Sequence, residues 1–385
     1  MNYHVFIVDM KTFKYHLEYL FAGTGAANRC ISFLKHTEIS MNWAVERMLV
    51  GMIADISRIR KDDKIIFYLQ SNNGLPGMFF GVFKAASTAF FDENDSNNYL
   101  SSDMKKGLSF RIEILPDRVY PLGITEHEAL DSLNERTYSY EMCWSLIYRK
   151  LKGNRGCTMI TDYEYNDLVR RIDKKNRGQF LNGSAFTFFP QKMCIISWQR
   201  PGKYSGRMES IDIYPRMLFK ASKNNSFETH LQAFIIQNID DPKLNSLIMP
   251  LPSQDYWLGN EVSCGVGMQR IDLMIKQEDR ENIYIKCIEL KDEEPVTAEI
   301  INQIGWYIRW IYDYMVPNYK ITNKAIHIMP MVIAKRSEDF ITFLGMNNKD
   351  VGVPDLIYHK YEYIAFDIKK DFYTDQYNII FDKIV

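Results

Sequence analysis

The 385-residue chain has no CxxC pair: its six cysteines stand at 30, 143, 157, 194, 264 and 287. Spacing this wide argues against a structural zinc motif and against a disulfide framework. No apolar run approaches the ~18 residues that would suggest a membrane-spanning helix. Met1 to Met10 carries His4 and Asp9 where a leader would show a basic stretch and then an apolar one. These absences predict a reducing, cytoplasmic compartment and no membrane partner. No internal repeat recurs at ~20 to 50 residues. Gly23-Thr24-Gly25 lacks the further glycine and the lysine of the nucleotide-binding fingerprints. None of the seven histidines lies near a nucleophile or at ligand spacing from a partner.

What is present is an ordinary globular composition, 46% hydrophobic and 25% charged, enough to bury a large core. The formal charge of −1, from 47 basic and 48 acidic residues, hides an asymmetry along the chain. Residues 1–223 hold 31 basic against 24 acidic side chains, and residues 224–385 hold 16 against 24. The basic excess is densest over 149–223, with 16 against 6, and includes Arg170, Arg171, Lys174, Lys175 and Arg177. Such a run can meet nucleic-acid phosphate; a solvated helix face or a contact with the acidic half accounts for it equally well.

Three regions separate, at 1–150, 151–223 and 224–385. In the first, Tyr3–Val8 reads as a strand, and Val45, Met48, Leu49, Met52, Ile53 and Ile56 recur at helical spacing. Lys64–Gln70 and Met78–Ala85 are strands joined by a Gly/Pro-containing turn, and Leu108–Leu115 alternates as a half-buried strand. The middle region has a helix from Asp162 to Ile172 and ends in the polar run Ala221 to Ser226, the best linker candidate. Ser226 can cap a helix whose apolar face is Phe227, Leu231, Phe234 and Ile235, with its end at Asp241-Pro242.

The chemistry concentrates beyond that helix. Arg270–Ile275 and Ile283–Lys291 are two strands joined by a charged turn, a hairpin. Period-two geometry puts Cys287, Glu289 and Lys291 on one face and Ile288 and Leu290 on the other. Asp272 interrupts the neighbouring apolar strand, and a plausible register brings it beside Glu289. Two carboxylates on adjacent strands, with the Leu290 carbonyl between them, form a hard oxygen site suited to Mg²⁺. Lys291 can orient the attacking water or help to deprotonate it, and adds a positive charge for phosphodiester hydrolysis.

This arrangement resembles the PD-(D/E)xK nuclease superfamily: an acid, a gap, then Glu-x-Lys, matched by Asp272, Glu289 and Lys291. Ile271 stands where a proline often precedes the first acid. Gln303-Ile304-Gly305-Trp306-Tyr307 is similar to the Q-x-x-x-Y element of RecB-like members. Glu228 stands where several members place a further acid. The resemblance implies an α/β catalytic domain over 224–385, restriction-endonuclease-like, with a mixed central sheet flanked by helices. It implies catalytic Asp272, Glu289, Lys291 and Gln303, and a Mg²⁺ held by Asp272, Glu289, the Leu290 carbonyl and Glu228, with Mn²⁺ as a substitute. Gln303 would touch the metal-bound water or the scissile phosphate. Asp292, Glu293 and Glu294 read as a solvated turn, and Trp306 and Trp310 as core packing.

The first region is similar to the EVE and PUA-like folds through Asn42-Trp43 with its helix, Lys61 to Tyr68, and Gly77 to Val82. That resemblance implies a small α+β domain over 1–150 that holds an extruded, often modified base, with Trp43 and Tyr68 as walls. Packing is the plainer account of both, with Trp43 opening the apolar helix face and Tyr68 alternating within a buried strand, and a turn explains Asn72 and Asn73 more cheaply. The combined expectation is a Mg²⁺-dependent DNA endonuclease of restriction type, acting as a homodimer. A repair nuclease for mismatched or branched DNA, and a non-cleaving sensor on the same fold, remain open.

Overall fold

A strand paired on both sides reads as a nearly continuous apolar run, and Tyr3–Val8 and Lys64–Leu69 are such strands. The computed structural model describes residues 1–26, 31–72, 74–92, 99–146, 156–200, 202–253, 255–265, 269–295, 297–346, 351–354, 357–370 and 377–384. The chain divides into two units, Met1–Thr137 with Ser145–Asp212, and Tyr138–Trp144 with Ile213–Val385. The expected 150/151 boundary lies outside the described residues. The expected connecting region contributes to both units, through Asp212 to the first and from Ile213 to the second. The charge asymmetry persists, with 28 basic against 23 acidic residues in the first unit and 19 against 25 in the second.

The first unit contains strands β1 (Tyr3–Val8), β2 (Phe21–Thr24), β3 (Lys64–Leu69), β4 (Met78–Ala85), β5 (Phe90–Asp92), β6 (Phe110–Pro116), β7 (Ile124–Thr125), β8 (Cys157–Ile160), β9 (Phe186–Phe189), β10 (Cys194–Ser197) and β11 (Met208–Glu209). Its helices are α1 (Phe13–Glu18), α2 (Trp43–Ser57), α3 (Ser101–Met104), α4 (Glu126–Leu130) and α5 (Asp162–Asn176). Among the described residues nine strands form one mixed sheet, in the order β11-β5-β6-β4-β3-β1-β8, with β2 added to β6 and β7 to β4; β9 and β10 form a separate hairpin. β1 runs parallel to β3 and antiparallel to β8. Val5, Phe6, Ile65, Ile66 and Phe67 are consequently fully buried. α2 begins at Asn42, whose side chain accepts from the Ala44 and Val45 amides. Thr161 and Glu164 form a capping box at the start of α5.

The second unit contains α6 (Tyr214–Ser222), α7 (Glu228–Asn238), α8 (Pro242–Ile248), β12 (Trp257–Ser263), β13 (Arg270–Glu278), β14 (Asn282–Leu290), α9 (Thr297–Trp310), α10 (Val316–Tyr319), β15 (Ala325–Lys335), α11 (Glu338–Met346), β16 (Glu362–Lys370) and β17 (Tyr377–Lys383). Among the described residues its six strands lie in sequence order, antiparallel from β12 to β14, parallel from β14 to β16, and antiparallel again at β17. The parallel step from β14 to β15 requires a crossover, and α9, packed against both, begins it. This is a mixed α/β sheet with helices. Among the described residues no helix is long and apolar enough to cross a membrane.

The start of α7 corrects one expectation. Its N-cap is Phe227, with no side-chain cap of its own. Instead the Asp292 carboxylate, from the segment after β14, accepts from the Phe227 amide and, at 3.1 Å, from the Glu228 amide. Asp292 therefore does the work assigned to Ser226. Asp241 in turn caps α8, whose first residue is Pro242.

Candidate active site

The hairpin brings its two carboxylates together by strand register. Leu273 lies opposite Ile288 across β13 and β14, so extending that register by one residue sets Asp272 opposite Glu289. The Leu290 amide donates to Asp272 Oδ2 at 2.8 Å. On the Glu289 side the strand alternation delivers Lys291, whose Nζ lies 2.7 Å from Glu289 Oε1 and 3.6 Å from Glu228 Oε2. Glu289 is 0% exposed. A buried carboxylate is tolerated only when hydrogen-bonded or paired, and Lys291 meets that demand from the strand end. α7 is tied to the same place one turn after Glu228, where Gln232 donates to the Asp272 carbonyl at 3.0 Å.

α9 supplies the other contact to Glu289. Residues four apart share a helix face, and Gln303 Nε2 donates to the Tyr307 hydroxyl at 2.5 Å. That hydroxyl lies 2.9 Å from Glu289 Oε2 and 2.7 Å from the Arg270 carbonyl, two acceptors for one proton. Gln303 thus reaches the carboxylate through Tyr307, a residue quoted in the Q-x-x-x-Y pattern without a role.

The pattern of charge at the site is one-sided. Burial, then the Glu289 and Glu228 carboxylates, raise the Asp272 pKa well above the ordinary carboxylate range. Burial acts to lower the Lys291 pKa, but Glu289, Glu228 and Asp272 outweigh it and the ammonium is raised instead. Lys291 is therefore a cation at neutral pH and suits orienting water or phosphate better than removing a proton. Burial, Glu289 and Asp272 also raise the Tyr307 phenol. Burial pushes the Cys264 thiol up to about 12 and raises Cys287 as well, which disfavours thiolate chemistry at either.

A further acid escaped the sequence reading. Asn260 pairs with Leu273 and Val262 with Ile271, so Glu261 falls opposite Asp272 on the other side of β13. Its φ of +51° is left-handed, a strained state for a glutamate inside a strand. Glu261 forms an ion pair with the half-exposed Arg270, and its charge adds to the upward shift of Asp272. No periodic signal marks it, because the pairing depends on β12, which the hairpin motif does not include.

Asp272, Glu289 and Glu228 place three carboxylates around one ammonium. Burial is the larger cause of the raised Asp272 pKa and the crowding of Glu289 and Glu228 adds to it; a divalent cation would offset that crowding. Among the described residues no group of three or more His, Cys, Asp or Glu side chains is arranged as a metal site. The Lys291 ammonium lies between Glu289 and Glu228 in this arrangement.

The other expected contacts divide. Arg171 is 9% exposed and bonded to Asp167 and Glu135, both at 2.9 Å. Arg170 pairs with Asp167, and Lys175 with Glu128 at 2.9 Å. Much of the basic run is thus neutralised within its own unit, while Lys174 and Arg177 are exposed. Trp43 is 55% exposed beneath the Arg47 guanidinium, 5.2 Å from its ring centre. Tyr68 is 1% exposed and donates to Glu126, so it presents no wall to solvent. A cleft of about 500 Å³ opens nearby, lined by Ser71, Asn72, Gly74, Leu75, Pro76 and His127; Asn73 lies outside the described residues. Trp310 is core, as expected, but Trp306 is 46% exposed, because Ile300, Ile304, Tyr307 and Ile308 take the buried face of α9.

No family model matches the chain and no curated protein matches it. Among solved structures, a hypothetical protein from Leishmania major aligns at 12% identity and a TM-score of 0.27, over 46% of this chain and 96% of that one. A protein from Pseudomonas syringae aligns at 14% identity and 0.26, over 44% and 99%, and one from Pseudomonas putida at 13% and 0.26, over 44% and 99%. Likeness at this level assigns neither fold nor function.

Proposed function

We propose that the chain is a Mg²⁺-dependent DNA endonuclease of restriction type, with a PD-(D/E)xK-like second unit that cuts and an EVE/PUA-like first unit that selects the target. The observation that carries this reading is the meeting of Asp272, Glu289 and Lys291 at the open end of β13 and β14, with Gln303 and Tyr307 behind Glu289. Mg²⁺, or Mn²⁺ in its place, would be held by Asp272, Glu289 and the Leu290 carbonyl, with Glu228 as the further acid. Bound there, the cation supplies Lewis-acid neutralisation of charge developing on the scissile phosphate.

The chain's own residues do the rest. Lys291, held protonated by its carboxylates, donates to the attacking water or to a phosphate oxygen as a fixed point charge. Tyr307 and Gln303 fix the rotamer of Glu289, and the Leu290 amide fixes that of Asp272. Water forms the new bond to phosphorus, releasing a proton to solvent, in line with the 3′ oxygen, which departs and takes up a proton from solvent; the products carry 5′-phosphate and 3′-hydroxyl ends. Two copies, each with one such site, would cut both strands. Lys174 and Arg177 are the members of the basic run best placed to meet DNA.

The test is a panel of plain, modified, mismatched and branched duplexes, with RNA as a control, incubated with Mg²⁺ or Mn²⁺. Duplex cleavage to 5′-phosphate ends is expected, abolished in Lys291→Ala and Glu289→Gln while binding persists. Undiminished cleavage by Lys291→Ala would overturn the assignment.

A further inference from the structure

Tryptophan is usually well buried, and one with nearly half its surface in water on a helix with a full apolar face is out of place energetically. Trp306 is 46% exposed, yet it is not loose. Its Nε1–H donates to the Cys264 carbonyl at 2.9 Å. Gly265, at φ +101°, lies against the ring, and a Cβ there would stand 3.3 Å from the indole. The next residue, Tyr307, bonds the Arg270 carbonyl at 2.7 Å. Two consecutive α9 side chains thus grip both ends of the β12–β13 connection. Trp306 lies about 60° around the helix from Gln303 and about 100° from Tyr307, on the exposed flank of α9.

We propose that Trp306 is a stacking platform for a nucleobase beside the scissile phosphate. The proposal rests on the nuclease reading above. A fixed, exposed indole suits this task because every base has a π-face and the side chain is already ordered before binding. Arg270, two residues before Asp272, places a guanidinium paired with Glu261 on the same strand end. Trp306 would position the substrate and leave the reacting atoms to Asp272, Glu289 and Lys291.

The experiment compares the full chain with Trp306→Ala and Trp306→Phe. Binding is read by fluorescence anisotropy of labelled duplex and single strand without divalent metal, and cleavage kinetics are read with Mg²⁺. Trp306→Ala should raise Kd and KM about tenfold while kcat stays within about twofold, and Trp306→Phe should recover most of the loss. A 2-aminopurine beside the mapped cut should be quenched by the parent protein and not by Trp306→Ala. Equal Kd and KM for Trp306→Ala and parent would overturn the proposal, as would a change confined to oligomeric state in sedimentation. A parent protein that cuts no nucleic acid rejects the nuclease reading instead, and the Kd comparison still decides the stacking role.

Discussion

The Leu290 amide holds Asp272 by its carboxylate, donating to Oδ2 at 2.8 Å. Asparagine can keep that acceptor while removing the charge that burial, Glu289 and Glu228 oppose. Asp272→Asn is therefore expected to fold and to gain about 1 kcal/mol, or ~2–4 °C in melting temperature, while losing cleavage by ~10² or more. Thermal melts beside a cleavage assay check it. A variant that melts lower than the parent would show that the carboxylate charge stabilises the fold, contrary to the electrostatics of the site.

Tyr307 is argued to act through Glu289, so its signature differs from that of a residue touching substrate. Tyr307→Phe leaves the ring in place and deprives the buried Glu289 of one hydrogen-bond donor. Loss of about 1–2 kcal/mol of stability is expected, with kcat reduced roughly tenfold and KM little changed. Steady-state kinetics separate the two parameters. A rise confined to KM would place the hydroxyl on the substrate instead.

Asp292 caps α7 across 65 residues of sequence, and α7 begins with Glu228. Asp292→Ala removes the acceptor for two helix-terminal amides and a negative charge at the positive helix end. It should destabilise by about 1–2 kcal/mol, and Asp292→Asn by less. Urea unfolding measures both. Ser226→Ala, exposed and without the capping contact, should change stability by under about 0.5 kcal/mol.

These residues mark where sequence reading succeeds and where it stops. The Asp272–Glu289 register was legible because strand alternation is local and a short hairpin fixes pairing. Gln303 and Tyr307 were legible as a pair only through their likeness to a Q-x-x-x-Y element, whose spacing sets both on one helix face. Glu261, Asp292 and the Glu135 partner of Arg171 were not, since each depends on an element 9 to 65 residues away meeting it in space. The same holds for β8, which the basic middle region lends to the first sheet beside β1. Trp306 failed for a subtler reason: i, i+4 spacing with Trp310 suggested a shared apolar face, but the 100° step per residue leaves Trp306 outside the stripe set by Ile300, Ile304 and Tyr307.

His16 makes the stability of the first unit sensitive to acid. The ring is buried, its Nδ1 hydrogen bonds the Phe21 carbonyl at 3.0 Å, and its Nε2 is buried with no partner among the described residues. Burial, opposed by the bond to Phe21, lowers its pKa from 6.5 to about 3. The unfolded chain therefore takes up a proton below pH ~6.5 that the folded chain refuses until pH ~3, so stability is complete above that window and falls as pH drops through it. The slope from this group is about 1.4 kcal/mol per pH unit, or roughly 2 kcal/mol between pH 6.5 and 5. His16→Asn keeps a donor for Phe21 and cannot titrate. Its stability, measured by urea unfolding at pH 7 and pH 5, should fall by about 2 kcal/mol less than that of the parent. An identical pH dependence in the two proteins would mean that His16 is already charged in the folded state or that the pocket opens to water.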